Sequence, residues 1–218
     1  MARLLIMKCI LCEQRKAKRY CPAKRTYICA MCCGEKRGVE INCPLDCVYY
    51  IEGQKYQQDK ITRQRIMKEG TEPYIRRAEL YSKNPEIFAK IELTLVGLFR
   101  NDNKLKNEEV AEALELVLKT LDTEKKGILY EYRAESSVVN DVALLVLNVI
   151  REYKDMAELR RGRITLDYAK DIVEEFLKEI NFYMEIEKNP QSYLIHISRY
   201  HPERVETKQG GGSLIISS

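Results

Sequence analysis

The chain has 218 residues, of which 45% are hydrophobic and 32% are charged. Its 37 Lys and Arg residues against 33 Asp and Glu residues give a formal net charge of +4. A chain of this length can bury a core, and the near balance of charge excludes a protein that is basic throughout. Any surface that binds a polyanion must therefore come from a local cluster of basic residues.

All eight cysteines lie between Cys9 and Cys47, and residues 48–218 contain none. Two pairs have the Cys-x2-Cys spacing, in which a short turn brings both thiolates within reach of one tetrahedral metal ion. Cysteines that only fill a core would be scattered along the chain, so we interpret all eight as metal ligands. The predicted ligand set is Cys9, Cys12, Cys21, Cys29, Cys32, Cys33, Cys43 and Cys47.

The adjacent pair Cys32-Cys33 predicts how the ligands are divided. Side chains of neighbouring residues point in different directions, so we expect Cys32 and Cys33 to serve different ions. Eight thiolates suffice for two closed sites, and the expected cofactor is Zn²⁺, two ions per chain. The predicted partition is interleaved, with Cys9, Cys12, Cys29 and Cys32 on one ion and Cys21, Cys33, Cys43 and Cys47 on the other.

Two other uses of the cysteines stay open. Disulfides suit a secreted chain, but the apolar run before Lys8 is too short for a secretory signal, and we expect a cytoplasmic protein. Iron–sulfur clusters also take four thiolates and would give a redox role, although the bacterial run that ends in Cys-Pro is not present. Residues 1–50 are poor in large apolar side chains, so metal binding is expected to supply much of their folding free energy.

Basic side chains alternate with Tyr20 and Tyr27 between the two Cys-x2-Cys pairs. Such a cluster favours contacts with the phosphates of RNA or DNA, while tyrosine rings stack on unpaired bases. Residues 1–50 hold ten Lys and Arg against four Asp and Glu, a balance of +6, and two four-thiolate zinc centres at −2 each leave +2. The alternative is that the basic residues neutralise the thiolates and the module binds a protein partner. The candidate nucleic-acid-binding residues are Arg15, Lys16, Lys18, Arg19, Lys24 and Arg25.

The cysteine pattern resembles three known kinds of zinc module. The stretch from Cys29 to Arg37, together with Cys43-Pro-Leu-Asp-Cys47, resembles the signature of an uncharacterised bacterial cysteine-rich, zinc-finger-like family with no assigned activity. Cys9-x2-Cys12 with its basic spacer is similar to the fungal binuclear zinc–cysteine DNA-binding cluster, with longer spacers and two surplus cysteines. The alternation of ligand pairs between ions also resembles the HIT-type finger, which uses histidine as well. These resemblances imply a zinc module but no particular reaction.

From residue 48 onward, apolar side chains at helical spacing predict almost continuous α-helix. The first predicted helix spans about 48–69 and stops at Gly70. Asn84 is the predicted cap of a helix that begins with Pro85. The next helix begins at Asn107, and residues 128–132 are either a short extended piece or a loop that carries two tyrosines.

The second half of the helical region contains three more predicted helices. One runs from Val138 to about residue 159, and its stretch 142–150 is apolar nearly all round, which predicts a centrally buried helix. Thr165 is the predicted cap of a long amphipathic helix that continues to about Lys188. A short final helix begins at Asn189-Pro190.

The predicted fold is mainly α, with a small N-terminal two-zinc module followed by an all-α domain. The expected organisation is a cysteine-rich module at 1–50, a connecting helical segment at 51–83, an α-helical domain at 84–202 and a flexible tail at 203–218. Residues 51–218 carry 27 Lys and Arg (37 less ten) against 29 Asp and Glu (33 less four), so the helical part is nearly neutral. Any polyanion is therefore expected to bind the zinc module and the helix that follows it, and the α-helical domain is expected to contact a protein partner or a second copy.

The sequence offers little for catalysis. It has no glycine-rich nucleotide loop, no candidate Ser-His-Asp set and no His-Glu-x-x-His motif. His196 and His201 are five residues apart, not four, and His196 is expected to be a packing residue. A closed four-thiolate ion has no open position for water. We therefore expect a protein that is not an enzyme and does not associate with a membrane.

Overall fold

The structure, a computed structural model, describes residues 7–159 and 164–201, with the side chains of 154–159 left out. The predicted tail at 203–218 lies outside the described residues. Within those ranges the chain forms eight α-helices and one two-stranded sheet, which confirms the mainly α class. The elements are β1 (Arg19–Cys21), β2 (Thr26–Ile28), α1 (Ala30–Lys36), α2 (Val48–Glu69), α3 (Thr71–Lys83), α4 (Pro85–Asn101), α5 (Asn107–Lys125), α6 (Ser137–Leu159), α7 (Leu166–Ile186) and α8 (Ser192–Tyr200).

The two strands form an antiparallel hairpin that leads directly into α1. Tyr20 pairs with Tyr27 across the hairpin, and Arg25 in the turn has a φ of 52°. Ile28 at the end of β2 is fully buried, and Ile41 is nearly so, with an exposed fraction of 1%. Among the residues that the structure describes, these two isoleucines are the only large aliphatic side chains in the buried part of a small core that otherwise consists of cysteines and Tyr50.

Two helices, α2 and α3, connect this small core to the rest of the chain. The prediction of a helix at about 48–69 is confirmed by α2 (Val48–Glu69). Gly70 then adopts a φ of 87°, in a region that glycine tolerates best, and α3 begins at the next residue. Arg65 is buried in α2 and its Nε lies 2.9 Å from a carboxylate oxygen of Glu69.

The large hydrophobic core is formed mainly by α4, α5, α6, α7 and α8. The prediction that residues 142–150 form a centrally buried helix is wrong, because Leu144 and Leu145 on α6 are exposed. Helix α5 is the central one: it packs against α6, α7 and α8 and buries nine of its residues. The run of apolar residues in α6 therefore indicates a hydrophobic helix, but it does not determine how much of the helix surface the neighbouring helices bury.

Of the two helix caps predicted at Thr165 and Asn84, the structure confirms the first and not the second. Thr165 caps α7 as predicted, since its Oγ1 accepts a hydrogen bond from the backbone N–H of Tyr168 at 3.2 Å. Asn84 precedes α4, but its side chain makes no capping bond. Its amide donates to the Tyr168 hydroxyl (2.9 Å) and accepts from the Tyr153 hydroxyl (3.3 Å). The Asn84 side chain thus ties α4 to α6 and α7 instead of closing its own helix.

The cysteine-rich segment contacts the helical core through the C-terminal end of α8. The Tyr50 hydroxyl and the Gln54 amide, both on α2, donate hydrogen bonds to the backbone carbonyl of Arg199. Gly38, at a φ of 69°, leaves little room for a side chain because a Cβ there would lie 3.2 Å from the Arg199 Cα. The two parts therefore meet at a tight, specific contact.

Within the part of the chain that the structure describes, every helix is too short or too polar to cross a bilayer.

His196 generates a testable pH dependence of stability. Its ring lies 5.0 Å from that of Tyr183 and 4.9 Å from that of Tyr200, in agreement with a packing role. Burial lowers the pKa of His196 from its ordinary 6.5 to about 4; nearby Glu179 opposes this shift, and Arg199 and Arg77 add to it. The unfolded chain therefore binds more protons than the folded one between pH 6.5 and 4, so stability is lost as the pH falls through that window.

We expect His196→Phe to remove that loss, which amounts to roughly 3 kcal/mol in the wild type below pH 4. Urea unfolding of both proteins from pH 7.5 to 4 gives the free energy of unfolding at each pH. Any release of metal by acid would affect both proteins alike, so the difference between their pH profiles reports the contribution of His196. Parallel pH profiles for the two proteins would contradict a buried neutral imidazole.

Candidate metal centre

A tight turn positions the first two cysteines. The Cys9 backbone N–H donates to the Arg15 carbonyl at 2.8 Å, and the Cys9 carbonyl accepts from the N–H of Glu13 at 2.7 Å. Glu13 has a φ of 53°, which reverses the chain directly after Cys12. Both thiols consequently lie on the inner side of the turn, where Cys9 is fully buried and Cys12 partly exposed.

The beginning of α1 positions the second pair. Cys29 is the residue before the helix, and its Sγ accepts a hydrogen bond from the Cys32 backbone N–H at 3.3 Å. Cys32 and Cys33 are both inside α1, where successive side chains point about 100° apart. The side chains of Cys32 and Cys33 therefore point in different directions, as predicted from their adjacency in the sequence.

The two pairs converge on one point. The Sγ atoms of Cys9, Cys12, Cys29 and Cys32 all lie within 4.8 Å of one another, and those of Cys12 and Cys29 are 3.9 Å apart. Four sulfurs at 2.3 Å from a tetrahedral ion are about 3.8 Å apart, whereas a disulfide requires about 2.05 Å. All eight cysteines are free thiols in the structure. The four residues of this tetrad lie close enough to bind a metal ion, and they are the four that the predicted partition placed together.

The electrostatics of the tetrad show why it suits a cation. Burial raises the pKa of the Cys9 thiol, but hydrogen bonds from the backbones of Cys29, Leu11 and Cys12 outweigh this and lower the pKa to about 6. Burial and the neighbouring thiols of Cys29, Cys12 and Cys9 raise the pKa of Cys32 to about 12. Without a positive ion, one thiolate thus suppresses ionisation of another, and a divalent cation would stabilise all four.

The remaining four cysteines lie in β1, in α1 and in the segment that precedes α2. Cys21 ends β1, Cys33 lies in α1, and Cys47 directly precedes α2. Burial raises the pKa of the Cys43 thiol, a hydrogen bond from the Gly38 backbone opposes the rise, and charge on Cys47, Cys21 and Cys33 adds to it. Among the residues that the structure describes, however, only the first tetrad brings its sulfurs within 4.8 Å of one another. The predicted second site is thus not assembled at metal-binding distances.

The six predicted basic residues do not all have the same surroundings. The Cys29 and Cys12 thiols raise the pKa of the Arg15 guanidinium, which lies beside the first tetrad. The Arg19 guanidinium lies 4.7 Å from the centre of the Tyr49 ring. The other four side chains are exposed on the turn after Cys12 and on the hairpin: Lys16, Lys18, Lys24 and Arg25.

Two tyrosines accompany these exposed cations. Tyr20 and Tyr27 are 48% and 45% exposed, and their ring centres are 5.5 Å apart in an edge-to-face arrangement. Both rings project from the same face of the hairpin because the two residues pair directly across it. The hairpin thus presents an aromatic pair flanked by basic side chains.

Sequence reasoning missed the residues that hold the module in place. Arg37 Nη1 donates to the Tyr49 carbonyl at 2.5 Å, and its guanidinium fills the space beside Gly53. The signal was present but weak, since a lone glycine within the predicted helix 48–69 indicates a close approach by another group. Sequence reasoning also left His201 without a role, and its Nε2 lies 2.7 Å from a carboxylate oxygen of Glu92.

Comparison of the chain with known protein families, curated proteins and solved structures finds no match. The likeness of the first fifty residues to a bacterial cysteine-rich signature stays a prediction.

Removal of the metal tests the role of the tetrad in folding. We expect chelation under reducing conditions to abolish hydrogen-exchange protection in residues 9–47 while α4 to α8 keep theirs, because the large core contains no cysteine. Cys12→Ser should reproduce the chelated state, and Met31→Ser, a change at an exposed residue of the same module, should not. Unchanged protection of residues 9–47 after complete metal removal would contradict a metal-dependent fold.

Proposed function

We propose that this chain is a non-catalytic zinc protein whose N-terminal module binds nucleic acid. The tetrad of Cys9, Cys12, Cys29 and Cys32 carries the first part of the proposal. Four thiolates from two short turns form the closed tetrahedral arrangement of structural zinc sites, with no position left for water. Iron could take the same ligands, and its colour distinguishes the two metals.

A second zinc ion is proposed at Cys21, Cys33, Cys43 and Cys47. Support comes from their burial, since the first three are at most 8% exposed and all four belong to one small core. Thiols buried without a partner in so small a core contribute little apolar surface, whereas a shared ion would tie β1, α1 and the start of α2 together. The ion would draw the four sulfurs to the spacing that the first tetrad already has.

Nucleic-acid binding is proposed for the face of the hairpin that carries the aromatic pair. The observation that supports it is the combination of exposed Tyr20 and Tyr27 with the exposed cations around them. Tyrosine faces stack on unpaired bases of any sequence, and the cations contact phosphates. This combination favours single-stranded RNA or DNA over a duplex, in which the bases are already stacked.

A protein-binding adaptor is the second candidate, and the positions of Arg15 and Arg19 favour it. Arg15 lies beside the thiols of the first tetrad, and Arg19 packs over Tyr49. Two of the six basic residues thus have local roles that require no polyanion. Only Lys16, Lys18, Lys24 and Arg25, which have no such local role, distinguish the candidates, and the salt dependence of binding is the property on which the candidates differ.

Metal stoichiometry tests the two zinc sites. Native mass spectrometry of the purified protein should show two Zn²⁺ per chain, and Cys32→Ser and Cys33→Ser should each lose one. The two variants should lose different ions, so the double variant should bind none. One ion in the wild type, unchanged in Cys33→Ser, would contradict the second site, and a visible absorption band would contradict zinc.

Charge removal on the hairpin tests nucleic-acid binding. Fluorescence anisotropy of zinc-loaded protein with single-stranded RNA and DNA should give a log–log plot of affinity against salt that falls steeply. The fourfold variant Lys16→Gln, Lys18→Gln, Lys24→Gln, Arg25→Asn should reduce that slope by up to about 3, at about 0.7 per phosphate contact on single strands. Asn is chosen at residue 25 because its backbone is left-handed there.

The matched control removes four exposed cations from the helical part. Lys104, Lys119, Lys126 and Arg133 are exposed, and changing all four to Gln alters the net charge by the same amount. If the control lowers affinity as much as the hairpin variant does, the loss of affinity comes from the change in net charge and not from the hairpin surface. Absence of binding to either nucleic acid at low salt would overturn the proposal and favour the adaptor.

A further inference from the structure

A cleft of about 530 Å³ lies among α2, α3, α4, α7 and α8, away from the cysteines. Its volume is within the range of sites for small organic ligands, which is about 300–1,000 Å³. Residues from five separate helices form its wall, and no sequence motif marks it. The side chains that define its chemistry are Arg65, Tyr74, Arg77, Tyr81, Glu92, Glu179, Tyr200 and His201.

The charged groups in the wall are paired with one another or with close neighbours. Arg77 forms an ion pair with Glu179, and His201 lies 2.7 Å from Glu92. Arg65, which is buried, pairs with Glu69 at 2.9 Å. A phosphate in the cleft would compete with Glu179 for Arg77, and an organic cation would approach the same guanidinium. The wall therefore favours a ligand without net charge.

The cleft also offers flat apolar faces beside hydrogen-bonding groups. Tyr74 and Tyr81 line it from α3 and Tyr200 lines it from α8, and all three rings are at least 36% exposed. Gln58 and Thr62 on α2 add an amide and a hydroxyl. A purely aliphatic ligand would bury these polar groups without partners, which is unfavourable. A planar ring with polar edges satisfies both the tyrosine faces and the polar groups.

We infer that this cleft binds a nucleoside-like ligand, a small uncharged molecule with a heteroaromatic ring and hydrogen-bonding edges. The tyrosines stack on the ring, Gln58 and Thr62 bind its edge, and the paired ions set the shape of the wall. The inference does not depend on the function proposed for the zinc module, because none of the residues that line the cleft lies within 1–50.

The probes are adenosine, guanosine, cytidine and uridine, titrated into the zinc-loaded full chain and followed by saturation-transfer NMR and calorimetry. At least one should bind saturably at millimolar concentration or below, and the corresponding monophosphate should bind no tighter. The hairpin variant defined above should bind that nucleoside as the wild type does. A failure of nucleic-acid binding at the hairpin therefore leaves this test intact.

Two matched tryptophan variants locate the site. Ala78 is an exposed residue on α3 that lines the cleft, and Glu79 is its exposed neighbour outside the cleft wall. Ala78→Trp should fill the cleft and weaken binding at least tenfold, while Glu79→Trp should leave it unchanged. Tyr74→Ala should weaken binding about tenfold, the order expected for loss of one stacking ring.

Three outcomes would overturn the inference. The first is no saturable binding by any of the four nucleosides. The second is equal binding by Ala78→Trp and Glu79→Trp, which would place the ligand elsewhere. The third is tenfold tighter binding of the monophosphate, which would mean that the paired ions in the wall recognise an anion.

Discussion

Repulsion among closely spaced thiolates is the physical constraint on which the N-terminal cysteine-rich module depends. Cys9 and Cys32 have pKa values displaced in opposite directions, to about 6 and about 12, although their sulfurs belong to one tetrad. Four thiolates at such spacing cannot all ionise unless a cation joins them. A cation bound there would stabilise the turn at Cys9–Cys12 and the first turn of α1 together, and neither has enough apolar surface to fold alone.

The helical part of the chain is stabilised by a different interaction, the burial of aliphatic and aromatic side chains around α5. The two parts meet where Tyr50 and Gln54 donate hydrogen bonds to the carbonyl of Arg199 at the end of α8. That end of α8 also carries Tyr200 and the adjacent His201, which line the cleft. Helix α2, which begins directly after Cys47, therefore holds the end of α8 beside the cleft through these hydrogen bonds.

Much of this architecture could be predicted from the sequence because its determinants are local. Spacing alone identified the first tetrad, and helical periodicity placed α2 at its observed bounds. The Thr165 cap was predictable because the bond is made within one turn. Asn84 has the same type of local signal, but its side chain is taken by Tyr153 and Tyr168, which are distant in sequence. Local patterns cannot show such competition.

The central position of α5 and the cleft were not predictable for a related reason. Both depend on which faces of several helices pack together. Hydrophobic periodicity identifies the apolar face of a helix but not the helix against which that face packs. The exposure of Leu144 and Leu145 on α6 shows this, because an apolar run there is covered on only part of its circumference. In the cleft the available signal was the presence of charged residues such as Arg77 and Glu179 within otherwise amphipathic helices. Their pairing across about a hundred residues becomes visible only in the fold.

The interleaved order of the cysteines has a structural consequence beyond metal binding. Because Cys32 and Cys33 are consecutive in α1, the sulfurs they present must diverge by about 100°. One of them lies with the thiols of the N-terminal turn and the other with those of β1 and the segment before α2. One turn of α1 thus contributes thiols to two groups whose members alternate along the chain. In this way a short helix can connect residues 9–12, the hairpin and the segment before α2, which explains how separate parts of so short a module are brought together.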